Sequence, residues 1–196
     1  CPHPEGPHMK IAVVVGSTRP GRVGLSVAEW VHEHAAKRSD ADFELLDLKP
    51  FGLVLLDEET VPGAANRQYE RAETRAWSEA VDRFDGFIWV SPEYNHGVPA
   101  ALKNAFDVLY PEWNHKAFGI VGYGADCGVR ATEHWRQIIA NARGVVVRAQ
   151  VSLSSFHDWT DGVFTPDQRR VKELTTVLDQ VVQMTEVLAP LRQPTS

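Results

Sequence analysis

Residues 15–24 read VGSTRPGRVG and follow an apolar run that begins at Lys10. Glycines, a serine, a threonine and two arginines crowded at one strand-to-helix junction suit a small anion, and phosphate is the natural candidate. Backbone N–H groups in the first turn of a helix lack intrahelical partners and carry the positive end of its dipole. Ser17 and Thr18 would add hydroxyl donors, and Arg19 and Arg22 would add charge. Gly16 and Gly21, followed by Arg22 and Val23, come close to the nucleotide P-loop, G-x-x-x-x-G-K-[ST]. A P-loop sets a Ser or Thr hydroxyl on magnesium, which Val23 cannot do, so a metal-assisted NTPase is disfavoured. The dinucleotide pattern G-x-G-x-x-G is absent from this turn, and in GYGADCG, residues 122–128, the third glycine falls one position late. The remaining alternative is an ordinary tight turn with solvated arginines.

A second constellation, SPEYNHGVPAALKNAFDVLY, spans residues 91–110. Pro92 restrains the backbone, Tyr94 offers an aromatic surface, and Asn95 and Gly97 favour a turn that exposes N–H groups, a loop able to hold a flat heteroaromatic ring. The plainer reading is a strand-to-helix turn with Pro99 at the helix start. Glu93 and His96 have no partner at a spacing that supports acid–base catalysis. Cys127 has no assigned base, and His32 and His34 fall on different faces of a helix, so neither a nucleophile nor a metal site is indicated.

These loops need a scaffold. KIAVVVG at 10–16, FELLDL at 43–48, DGFIWVS at 85–91, AFGIVGY at 117–123 and GVVVRAQV at 144–151 are short β-rich runs. The first is apolar without alternation, as a strand covered on both faces should be. Segments 23–37, 67–83, 98–109, 129–142 and 166–188 read as helices, with Pro190 at a helix end. Five alternating strands and helices imply a parallel α/β sheet, and ligands bind such sheets outside the carboxyl ends of the strands. Segment 49–66 is the one long connection without periodicity.

The chain has 196 residues and a net charge of −6, which suits one domain with small-molecule partners and argues against nucleic acid or an anionic membrane. No run approaches the roughly 20 apolar residues of a membrane span. Two cysteines without repeated spacing give no disulfide or zinc framework, and a cytoplasmic, reducing setting is expected. Residues 1–8 read as an extension or cloning scar, 9–190 as the domain and 191–196 as a tail.

GSTRPGRVG, TRAWSEAV, SPEYNHGVPAALKNAFDVLYPEW and GYGADCGVRATEHWR, in this order and spacing, closely resemble the NADPH-dependent FMN reductase family from about residue 10 to 150. The resemblance implies a flavodoxin-like three-layer sandwich with a five-stranded parallel sheet of order 2-1-3-4-5. It implies FMN as cofactor and NADPH or NADH as donor, with flavin N5 carrying hydride and no catalytic side chain. By matching position, Ser17, Arg19, Arg22, Val23 and Gly24 would hold the FMN phosphate. Pro92, Glu93, Tyr94, Asn95 and His96 would lie along the isoalloxazine, and Tyr123, Gly124, Cys127 and Gly128 would flank its other part.

The chain departs from the family in two places. Cys127, Gly128 and Val129 stand where many relatives have S-G-G, and Arg22 and Val23 where many have Ser and Asn, which shifts phosphate binding toward Arg22 and backbone donors. Quinones, azo compounds, metal oxyanions such as chromate, nitroaromatics or free flavin are the implied acceptors. Apolar residues along 98–110 exceed what one helix face buries, which core packing accommodates; the resemblance adds a homodimer, or a tetramer, with sites at the interface. A flavodoxin-like FMN electron carrier is the alternative, and against it carriers are strongly acidic around the flavin. A cofactor-free interaction module on the same fold is a third reading.

Overall fold

A computed structural model describes residues 8–192. The extension read at residues 1–8 therefore lies outside the described residues except for His8. Five strands, β1 (Lys10–Val15), β2 (Asp42–Asp47), β3 (Gly86–Pro92), β4 (Ala117–Gly124) and β5 (Val145–Ser154), form one sheet of order β2-β1-β3-β4-β5. Every neighbouring pair is parallel. Residues Ile11 to Val15 of β1 are fully buried, as a continuous β-branched run between two partner strands should be. The strand order reverses between β1 and β3, which opens a crevice at their carboxyl ends.

Helices cover both faces. α1 (Gly24–Ala35) and α5 (Gln168–Arg192) pack with one core, which includes Val13, Val27, Val31, Leu174 and Val181. α2 (Ala72–Asp82), α3 (Ala100–Asp107) and α4 (Val129–Asn141) cover the other, where Trp77, Trp89, Trp113 and Trp135 are all fully buried. Burial of each such side chain contributes on the order of 1.5–3 kcal/mol. α3 is only 8 residues long, too short to persist alone. Two indoles hold its end: Trp77 Nε1 donates to the Ala105 carbonyl at 2.8 Å and Trp113 Nε1 to that of Phe106 at 2.9 Å. The apolar residues read as surplus along 98–110 are core, since Leu102, Phe106, Val108 and Leu109 are buried. Exposed apolar side chains cluster instead in the long connection, at Val54, Leu55, Leu56 and Val61.

The structure corrects several boundaries. The helix expected over 67–83 begins at Ala72, because Asn66 and Arg67 adopt left-handed φ of 50° and 62°, and the Glu58 carboxylate takes the Glu70 and Arg71 amides. Pro190 does not end the last helix, which runs through Arg192. A proline in a final turn removes one helical hydrogen bond. The turn stays docked because Leu188 is buried and Arg192 donates to the His115 and Thr185 carbonyls. β5 extends to Ser154, and a short hairpin, β6 (Trp159–Thr160) with β7 (Val163–Phe164), follows it.

Two carboxylates fasten crevice loops to helix starts. Gly128, with φ 66°, begins α4 without a capping side chain. Glu93, from the loop after β3, supplies the cap by accepting from the Arg130 and Ala131 amides at 3.0 and 3.2 Å and from the Arg130 guanidinium at 2.8 Å. Asp158, with a side chain 5% exposed, accepts from the Ser154 amide at 2.7 Å and pairs with Arg170 in the first turn of α5. Removing one charge of a buried pair leaves the other uncompensated. Asp158→Asn should lower the unfolding free energy by about 3 kcal/mol in a urea titration, and Glu93→Gln by about 1 kcal/mol; unchanged midpoints would contradict these assignments.

Candidate functional site

Four loops meet at the carboxyl ends of β1, β3, β4 and β5 around a cavity of about 200 Å³. Larger cavities lie elsewhere, including a polar groove of about 560 Å³ along β5 between α4 and α5, where Glu133, Arg136 and Arg148 stand. Volume alone does not locate the site. The smaller crevice is the one at the reversal of strand order, where α1 presents its amino end.

The first loop joins β1 to α1. Ser17 is buried, and its hydroxyl lies 3.2 Å from the Tyr94 hydroxyl, which links this loop to the one after β3. Gly21 takes a left-handed φ of 65°, and the Arg22 amide donates to the Arg19 carbonyl at 3.2 Å to close the turn. α1 starts with no side-chain cap and no acid in its first turn, so its leading amides stay available to an anion. Arg19 and Val23 line the crevice. Arg22 lines it too, but its guanidinium is bound by Asp47.

Beyond β3, the Tyr94 and Gly97 main chains bond to each other in both directions, at 3.1 and 3.0 Å. Asn95 and His96 between them have φ of 48° and 69°, the paired left-handed geometry of a tight turn. Their amides bond to no backbone carbonyl, and both side chains are exposed at the tip, outside the cavity lining. Pro92, Glu93 and Tyr94 do line it. Glu93 brings little free charge to the crevice, because its carboxylate is spent on α4 and Arg130.

Tyr123 and Gly124 form the wall from β4. Burial, together with nearby Tyr94, pushes the Tyr123 phenol well above its ordinary range, so its hydroxyl remains protonated. Gly24 is required here, since a β-carbon would stand 2.3 Å from the Tyr123 hydroxyl. Gly128 is required as well, since a β-carbon would stand 2.5 Å from the Tyr123 nitrogen. Gly24, Cys127 and Gly128 shape the walls without lining the cavity, and Cys127 is a free, half-buried thiol with φ 59°.

Three contributors carry no local signal in the sequence. Ala125 and Ser155 line the crevice, and Asp47 holds Arg22. Ser155 follows β5, which runs three residues past Val151, where the apolar run of the sequence ends. Among the described residues, no helix is long and apolar enough to cross a membrane.

The donor set fits a phosphate monoester attached to a flat ring. Uncapped amides, the Ser17 hydroxyl and the Arg19 guanidinium, which has no ion-pair partner among the described residues, gather at the head of α1, and Tyr94 lines the crevice beside them, next to a tight turn whose tip amides bond to no backbone carbonyl. Residues 9–158 match the model of the NADPH-dependent FMN reductase family. The chain is 41% identical over 119 residues to an NAD(P)H-dependent FMN reductase of Schizosaccharomyces pombe, an overlap of 61% of this chain and 60% of that relative's length. It is 30% identical over 158 residues to a 2-hydroxy-1,4-benzoquinone reductase of a Burkholderia species, covering 76% of this chain and 80% of that one. The structure of a flavoenzyme NAD(P)H:(acceptor) oxidoreductase from Paracoccus denitrificans superposes with a TM-score of 0.70 at 20% identity, over 91% of this chain and 98% of that one, and so shares the fold. Sheet order and sequence thus agree, and the chain belongs to the NADPH-dependent FMN reductase family.

Proposed function

We propose that this chain is an NAD(P)H-dependent FMN oxidoreductase. One observation carries the reading. A phosphate-competent loop and a ring-competent turn converge on one crevice, joined by the contact of Ser17 with Tyr94. FMN, when bound, supplies the redox chemistry by accepting hydride from NADPH or NADH and passing electrons to a second molecule.

The chain's own residues bind and orient. The amides that open α1, the Ser17 hydroxyl and Arg19 would hold the phosphate. Tyr94, 41% exposed at the crevice mouth, offers an aromatic surface, and the Asn95 and His96 amides offer N–H donors to electron-rich ring edges. The protonated Tyr123 hydroxyl fills the floor where α1 begins, and Glu93, fixed on α4, keeps the turn in register with that floor.

A cavity of about 200 Å³ is small beside the roughly 300–1,000 Å³ of sites that enclose their ligands. It leaves one face of a flat ring open to a donor and then an acceptor in turn, and a second copy of the chain would narrow that opening. A homodimer, or a tetramer built from it, is therefore part of the reading, with the exposed Val54–Leu56 segment offering apolar surface. Quinones are the favoured acceptors, since a related chain is named for a benzoquinone substrate; azo compounds, metal oxyanions and free flavin follow from the same open face. Two cysteines and a nicotinamide-fed reaction suit a cytoplasmic setting.

The test is anaerobic stopped flow on the FMN-reconstituted protein. NADPH or NADH should bleach the flavin absorption, and subsequent addition of a benzoquinone should restore it. Flavin that stays oxidised with both nicotinamides would overturn the reductase reading and leave an electron carrier.

A further inference from the structure

The guanidinium of Arg22 is already paired with a carboxylate. Nη1 donates to Asp47 Oδ1 at 2.7 Å, Nη2 to Asp47 Oδ2 at 2.5 Å, and Nη1 also to the Ser17 carbonyl at 2.6 Å. Only 10% of the Arg22 side chain is exposed. Asp47 ends β2, and its Oδ1 also accepts from the Lys49 amide at 3.0 Å. Burial raises the Asp47 carboxyl, but bonds from Arg22 and the Lys49 amide outweigh that and hold it below the usual carboxylate range.

These bonds take three of the guanidinium's five N–H donors, and for its whole charge to serve an anion in the crevice Arg22 would have to leave Asp47. Asp47 would then lose its counter-charge beside that anion, and like charges at short range repel. Arg19 differs. It is exposed, lines the cavity and has no ion-pair partner among the described residues. The Ser17 contact adds a shaping role. In a trans peptide the carbonyl of one residue and the amide of the next point in opposite directions. Holding the Ser17 carbonyl on Arg22 therefore turns the Thr18 amide away from Asp47. The Arg22 main chain, bonded to Arg19, fixes the same loop a second time.

Resting on the flavin reading above, which gives Arg19 to the phosphate, we infer that Asp47 is a positioning residue that shapes the anion loop through Arg22. The bidentate pair is a clasp that shields one of the loop's two positive charges.

Equilibrium flavin binding tests this, with FMN and riboflavin titrated at several salt concentrations into the wild type, Arg19→Gln, Arg22→Gln, Asp47→Asn and the Arg22→Gln/Asp47→Asn double variant. Riboflavin carries the same ring without the phosphate. Arg19→Gln should weaken FMN by about tenfold, leave riboflavin unchanged and flatten the salt dependence, because a phosphate contact is lost. Arg22→Gln and Asp47→Asn should each weaken FMN by about tenfold with the salt dependence as steep as before, and the double variant should be no weaker than the worse single.

Tighter FMN binding by Asp47→Asn, or a flattened salt dependence in Arg22→Gln, would make Arg22 a phosphate ligand and overturn the inference. An Arg19→Gln variant that binds FMN like the wild type would overturn the phosphate role that the flavin reading gives Arg19, and the Arg22 and Asp47 arms would still decide the clasp. Urea melts of the flavin-free proteins read the clasp independently: the single variants should lower the midpoint and the double should lower it no further, whereas additive losses would refute the clasp. A wild type that binds neither flavin would sink the flavin reading itself, and the melts would still decide the clasp.

Discussion

The crevice depends on how closely the backbone approaches Tyr123. α1 begins so near this residue that a β-carbon on Gly24 would stand 2.3 Å from its hydroxyl, and the turn before α4 passes so near that one on Gly128 would stand 2.5 Å from its nitrogen. A side chain at Gly128 would force the main chain to move, and one at Gly24 would displace the buried Tyr123 ring that walls the crevice. These two contacts bring the amino ends of α1 and α4 to the same strand end. The uncapped amides of α1 then face the crevice, while those of α4 are satisfied by Glu93. Of two similar helix starts, one is left open to a ligand and the other is closed by protein.

The same economy governs charge. The crevice gathers Arg19, Arg22 and Glu93. Glu93 is matched by Arg130 and α4, and Arg22 by Asp47. One positive group and a set of neutral dipoles remain, which suits a phosphate monoester and the bare, weakly polar ring it carries. The chain as a whole bears a net charge of −6, so its attraction for an anionic cofactor is local.

Much of this was legible in the residues. The unbroken apolar β1 run, the glycines around Arg19 and Arg22 and the segment at 91–97 each obey a local rule of strand burial, turn chemistry or helix start, and so they announce themselves. What stayed hidden depends on distant partners. Nothing near Asp47 signals that it will meet Arg22, 25 positions earlier in the chain. Nothing near Glu93 signals that its carboxylate will cap α4, 37 positions further on. The left-handed Asn66 and Arg67 cut a helix that composition alone extends, and surplus apolar residues around α3 vanish into a tryptophan-rich core that no single segment reveals. The β6–β7 hairpin did carry a local signal, since Asp161-Gly162 between Trp159-Thr160 and Val163-Phe164, all β-favouring residues, is a favoured two-residue turn.

The central claim is that backbone amides at the head of α1 grip the phosphate of FMN. A titration of FMN into the ¹⁵N-labelled protein, followed by amide chemical shifts, tests it most directly. The account expects the largest shifts in residues 17–24, with a second set at Asn95 and His96. Shifts confined to the polar groove beside Arg136 and Arg148, with the α1 loop unmoved, would contradict it.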